Sequence, residues 1–83
     1  MQSIQFEFKP GASDAVNLAS FMLAYAKHAG VSPKAGKPSL CKYFKDNIDE
    51  MATRYATQIN TSLEINDPSA LCEECALAYM SKE

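Results

Sequence analysis

Apolar and polar residues alternate strictly at the start of the chain. Apolar side chains stand at positions 4, 6 and 8, polar ones stand between them, and Pro-Gly at 10–11 ends the run. A period of two is typical of a β-strand with one buried face. The pattern therefore predicts a strand over residues 3–9.

The next stretch has the composition of a central helix. Ser13 is a suitable N-cap, residues 15–29 are apolar around most of the helix circumference, and Gly30 is a suitable C-terminal stop. We expect Leu23 to be among the costlier residues of this helix to truncate. Polar residues are confined to a narrow edge: Asn17, Ser20 and Lys27.

Two further helices follow. Ser39 can cap a second helix, whose apolar residues recur at spacings of three and four over residues 40–59. Asp67 can cap a third, which has a proline at its first position and is expected to run to about residue 81.

The stretch between the second and third helices has two interpretations. Thr61, Leu63 and Ile65 alternate like a strand, although Leu63 also continues the helical spacing. A lone N-terminal strand needs a partner for its backbone groups. We therefore predict a second strand over residues 61–65, antiparallel to the first. The predicted fold is α+β and predominantly helical, in the order β-α-α-β-α. An unbroken helix through Leu63 would instead favour a strand-exchanged dimer.

Composition limits the class of protein. The 83 residues are enough for a single domain, 1–83, and 47% hydrophobic with 22% charged residues is ordinary globular composition. No apolar run is long enough to span a bilayer, no signal-peptide pattern is present, and three cysteines are too few for a disulfide scaffold. A cytoplasmic protein is predicted. Six lysines against two carboxylates give residues 1–45 a charge of +4, whereas two basic and eight acidic residues give 46–83 a charge of −6.

Two cysteines stand three residues apart on the third predicted helix. Cys72 and Cys75 fall within its apolar stripe, so we predict that both are core residues. Neighbouring glutamates and a position inside the helix argue against a reactive redox pair. A small zinc-stabilised domain is the alternative, because Cys41 and His28 would complete four ligands.

Catalytic motifs are absent from the sequence. There is no glycine-rich phosphate loop, and the single histidine lies at a predicted helix end. We expect no enzymatic activity, no cofactor and no metal. Two charged surfaces remain as candidate partner-binding sites, one acidic and one basic, formed by Asp46, Asp49, Glu50, Glu73 and Glu74, and by Lys34, Lys37, Lys42 and Lys45.

These features favour a small protein-binding module of the inhibitor or adaptor type, as phages and other mobile elements carry. It would be a monomer or homodimer that occludes a charged surface of a larger protein or protein–nucleic-acid complex. Alternatively, residues 4–56 are similar in outline to ribbon-helix-helix repressors, in which paired strands of a dimer enter the major groove. That resemblance implies direct DNA binding through Gln5, Glu7 and Lys9. A glutamate at that surface and an isoelectric point near 5.3 are atypical of such repressors.

Overall fold

Three α-helices account for the regular structure. The computed structural model describes residues 4–60, 63 and 65–81. Its helices are α1 (Asp14–His28), α2 (Lys37–Ile59) and α3 (Pro68–Met80), and each packs against the other two. All three contribute to one hydrophobic core.

The ends of α1 follow from its local sequence. Ser13 Oγ accepts a hydrogen bond from the Val16 N–H at 3.3 Å, and Asp14 places a carboxylate at the positive end of the helix dipole. Gly30, with φ of 82°, adopts the left-handed conformation just past the helix. The predicted bounds of this helix are confirmed to within one residue.

The second helix is longer than predicted at its start. It begins at Lys37 rather than after Ser39, because Gly36 takes the N-cap position with φ of 96°. Asn60, with φ of 57° and ψ of 51°, is in the left-handed conformation that ends the helix. Continuation of the helix through Leu63 is therefore excluded.

The third helix is confirmed almost residue for residue. Asp67 Oδ1 accepts a hydrogen bond from the Ala70 N–H at 3.1 Å, and Pro68 takes the first helical position, where its missing N–H is not needed. Within the part of the chain that the structure describes, no helix is long and apolar enough to cross a membrane.

The predicted α+β fold is wrong. Residues 4–60, 63 and 65–81 contain no β-strand, so the fold seen there is all-helical. Residues 4–9, which we call the N-terminal segment, lie outside any strand. Of the predicted second strand, residues 61, 62 and 64 lie outside the described residues, and Leu63 and Ile65 have no strand structure.

At two points, side-chain amides supply hydrogen bonds of the kind that a second strand was expected to supply. Gln58 Oε1 accepts from the Ile4 N–H at 3.1 Å, and Gln58 Nε2 donates to the Ile4 carbonyl at 3.0 Å. Asn17 binds Lys9 in the same way, at 2.8 Å and 3.1 Å. A carboxamide carries the donor and the acceptor of a peptide group, so each of these amide clamps imitates one hydrogen-bonded pair of a β-ladder.

An aromatic cluster attaches the N-terminal segment to the core. The rings of Phe6, Phe21 and Tyr55 pack edge-to-face, with centroids 5.3–5.8 Å apart. Tyr55 is fully buried, and its hydroxyl has no hydrogen-bond partner among the described residues. On α1, Leu18 is fully buried, whereas Leu23 is only half-buried, so Leu23 is not the central core residue that we expected.

Candidate partner-binding surfaces

The charged residues predicted to bind a partner are all exposed on the helical surface. Lys34 lies in the loop before α2, and Lys37 begins that helix. The remaining seven lie on α2 and α3: Lys42, Lys45, Asp46, Asp49 and Glu50, and Glu73 and Glu74.

The predicted acidic and basic surfaces are partly paired with each other. Lys37 Nζ lies 3.1 Å from Glu73 Oε1, which joins the start of α2 to α3. Lys42 Nζ lies 3.1 Å from Asp46 Oδ2, one turn away on α2. Such exposed pairs contribute about 0–1 kcal/mol each, but they reduce the charge that a partner would meet.

Glu50 has a structural role that the sequence did not reveal. It accepts a hydrogen bond from the Tyr25 hydroxyl of α1, and its Oε2 lies 3.7 Å from Arg54 Nε. The Arg54 guanidinium carbon lies 5.5 Å from the centre of the Tyr25 ring. The hydrogen bond to Glu50, with burial second, raises the pKa of Tyr25 above its ordinary value. Glu50 therefore links α1 to α2.

Four of the nine predicted residues remain without an ion pair in the described structure: Lys34, Lys45, Asp49 and Glu74. They are spread over the loop, α2 and α3 and carry two charges of each sign. The charges of the predicted surfaces that have no ion pair in the described structure are therefore single and scattered, and they do not form one patch.

The α3 cysteines are core residues, as predicted. Cys72 is fully buried and Cys75 is 1% exposed, and neither forms a disulfide. Burial raises the pKa of both thiols, that of Cys75 to about 12, so both stay protonated at neutral pH. A protonated, buried thiol is a poor nucleophile and a poor metal ligand.

The zinc alternative depended on four residues meeting in space. Among the residues that the structure describes, no group of three or more His, Cys, Asp or Glu side chains is arranged to hold a metal ion. Cys41 and His28 therefore do not complete a site with the α3 cysteines, and the geometry gives this alternative no support.

The sequence did not predict a groove that lies beside the N-terminal segment. It has a volume of about 750 Å³, and one wall is formed by Gln5, Phe6, Glu7 and Lys9. Within the described chain, no hydrogen bond engages the backbone of residues 5–8. We call this feature the segment groove.

Helix α1 also lines the groove. It contributes Ser20, Leu23, Ala24 and Lys27, and Val31, Pro33 and Tyr79 complete the lining together with Gly30. The narrow polar edge of the first predicted helix consists of Asn17, Ser20 and Lys27. Ser20 and Lys27 line the groove, and Asn17 forms the amide clamp on Lys9. That polar edge was the signal in the sequence that marked the groove.

Comparison with known proteins gives no relatives. No protein-family model, no curated protein sequence and no solved structure matches this chain.

Proposed function

We propose that this chain is a non-enzymatic protein-binding module of the inhibitor or adaptor type, and that it binds its partner in the segment groove. The observation that carries the proposal is a backbone stretch held at both ends by amide clamps, beside a groove, with peptide groups between the clamps that have no hydrogen bond to any described residue. Unpaired backbone groups next to an apolar surface are what strand-adding protein partners use.

The charges of the acidic surface suit a role in attracting the partner before it binds rather than in direct contact with it. With Asp46, Glu50 and Glu73 engaged in ion pairs within the chain, the acidic surface offers a long-range field more than a binding site. Such a field accelerates association with a basic partner surface, and its effect declines with salt.

The DNA-binding alternative has less support from the geometry. A ribbon-helix-helix arrangement requires Gln5, Glu7 and Lys9 on a strand that pairs across a dimer. In this structure the same three residues line the segment groove, and Asn17 occupies the backbone groups of Lys9.

Capture of partners with matched variants tests the proposal. The wild-type chain and two variants are immobilised and exposed to lysate of the native host, with and without nuclease. Ser20→Trp places a large neutral side chain in the groove at a half-buried position. Asp46→Lys with Asp49→Lys reverses the acidic surface and leaves the Glu50 link intact.

The proposal expects a nuclease-resistant protein that the wild type and the acidic-surface variant retain and that Ser20→Trp loses. Circular dichroism and the urea midpoint must show that Ser20→Trp is folded. Retention by Ser20→Trp with loss in the double variant would move the site to the acidic surface. Tight, salt-dependent binding of duplex DNA with no protein captured would favour the regulator instead.

A further inference from the structure

We infer that the segment groove accepts an extended, acidic–apolar peptide strand of the partner, which pairs with the backbone of Gln5 and Glu7. This inference rests on the proposed function and specifies the chemistry of the partner. It depends on the direction of the free backbone groups, the charge around the groove and the apolar residues in it.

The direction of the backbone groups follows from the two clamps. In an extended chain the N–H and C=O of one residue point to the same side, and successive residues alternate. The side chains of residues 4–7 alternate in burial as those of an extended chain do, with Ile4 buried, Gln5 exposed, Phe6 half-buried and Glu7 exposed.

The clamps agree with that alternation. Ile4 is bound by Gln58 of α2, and Lys9, which has the opposite parity, is bound by Asn17 of α1. Residues 5 and 7 share the parity of Lys9, so their N–H and C=O groups point towards α1, which is where the groove lies. The N–H and C=O groups of residues 5 and 7, which have no hydrogen bond within the described chain, therefore face into the groove.

The charge around the groove is positive although the whole chain is negative. Lys9 and Lys27 line it, and Glu7, the single acidic residue among its described lining, lies 3.6 Å from Lys9 in an exposed pair. Lys27 forms no ion pair within the described structure. Carboxylates on the bound strand would complement these lysines, whereas a basic strand would be repelled.

The apolar lining defines the other half of the strand chemistry. Leu23 and Val31 are half-buried and line the groove together with Ala24 and Pro33. Side chains of a strand alternate between its two faces. A strand with apolar residues at every second position can therefore place one row on this surface and its carboxylates near the lysines.

Binding of synthetic strands tests the inference. The probes are fluorescein-labelled Glu-Val-Glu-Val-Glu-Val and its counterpart Lys-Val-Lys-Val-Lys-Val, titrated by fluorescence anisotropy and by ¹H–¹⁵N correlation spectra. The acidic probe is expected to bind and the basic one not to bind. The Gln5 and Glu7 amides should become protected from exchange, while those of Phe6 and Phe8 should not.

Two forms of the acidic probe, N-methylated at its valines or at its glutamates, test strand pairing. One form loses the donors that face the segment and should lose binding, and the other should keep it. Equal binding of both forms and the parent would show that the groove holds an apolar acid without backbone pairing, which would overturn the inference.

Charge variants test the assignment of the lysines. Lys27→Glu is expected to weaken the acidic probe by about threefold to tenfold, as reversal of an exposed pair does. Lys45→Glu, the same change on α2 outside the groove lining, is the control and should leave binding unchanged. An equal effect of both variants, or of neither, would contradict the assignment.

The two proposals fail in different ways. If Ser20→Trp loses the captured protein but Lys27→Glu captures it as well as the wild type does, the groove is the site and the acidic strand is wrong. If the acidic probe protects Gln5 and Glu7 but no protein is captured, the strand chemistry stands and the proposed role as a module fails.

Discussion

Replacing Asn17 with alanine removes both side-chain hydrogen bonds to the backbone of Lys9, leaves its carbonyl with the Ala12 N–H alone, and should release the C-terminal half of the N-terminal segment. Asn17 is 3% exposed, and its side chain forms two hydrogen bonds with the Lys9 backbone, at 2.8 Å and 3.1 Å. In the unfolded chain water forms these hydrogen bonds with both residues. A net contribution of about 0.5–1.5 kcal/mol per hydrogen bond gives about 1–3 kcal/mol for the clamp. Because Lys9 is exposed, water can take over its backbone groups, so we expect the lower half of that range.

Amide hydrogen exchange measures the effect where it arises. The Lys9 N–H should exchange about 5–30 times faster in Asn17→Ala than in the wild type, which corresponds to about 1–2 kcal/mol. Gln58→Ala should have the same effect on the Ile4 N–H, because that clamp is built in the same way.

Asn47→Ala is the matched control. Asn47 also uses its side-chain amide, but it donates to the Tyr43 carbonyl within α2 at 2.8 Å and does not touch the segment. It should leave the exchange of Lys9 unchanged. Equal exchange of Lys9 in Asn17→Ala and the wild type would show that the aromatic contacts of Phe6, and not the clamps, hold the segment.

Three further predictions concern the core. Tyr55→Phe removes a buried hydroxyl that has no partner among the described residues, so urea unfolding should show equal or greater stability, by up to about 1 kcal/mol, and a clear loss would reveal a hydrogen-bond partner for that oxygen. Cys75→Ala tests the thiol whose pKa burial raises to about 12. The native thiol holds its proton while the unfolded one, with a pKa of about 8.5, releases it, so the stability of the wild type should fall relative to the variant between those pH values, by at most about 1.4 kcal/mol per pH unit. A pH-independent difference would contradict this. Leu18→Ala should cost about 2–5 kcal/mol and Leu23→Ala about 1–2 kcal/mol, and equal losses in chemical denaturation would mean that Leu23 is not at a groove.

Helices were predictable because their determinants are local. Ser13 and Asp67 cap α1 and α3 through bonds to residues three positions away, and both were visible in the sequence. The apolar spacing of the third helix also correctly predicted Cys72 and Cys75 as core residues. The start of α2 was misplaced because Gly36 and Ser39 both lie where a cap is possible, and a single sequence does not rank them.

The predicted surfaces depended on distances that a sequence does not contain. The pair of Lys37 and Glu73 joins residues from α2 and α3, so it exists only because these helices pack side by side. Glu50 was assigned to the solvent face by its position relative to the apolar stripe. At Glu50 the edge of that face lies beside α1, and the Glu50 carboxylate accepts a hydrogen bond from the Tyr25 hydroxyl. A residue predicted to be a surface charge is therefore a contact between two helices.

The predicted second strand and the segment groove concern the same backbone groups, those of residues 4–9. We expected these groups to need a strand as partner, but only the two ends of the segment are held, by four hydrogen bonds from Asn17 and Gln58. A neighbouring β-strand would have paired one edge of the segment along its whole length, whereas the two amide clamps leave residues 5–8 without a hydrogen bond to any described residue. Within the described chain the segment is therefore held in place while the hydrogen-bonding groups between its ends stay available, and that combination is what a surface for strand addition needs.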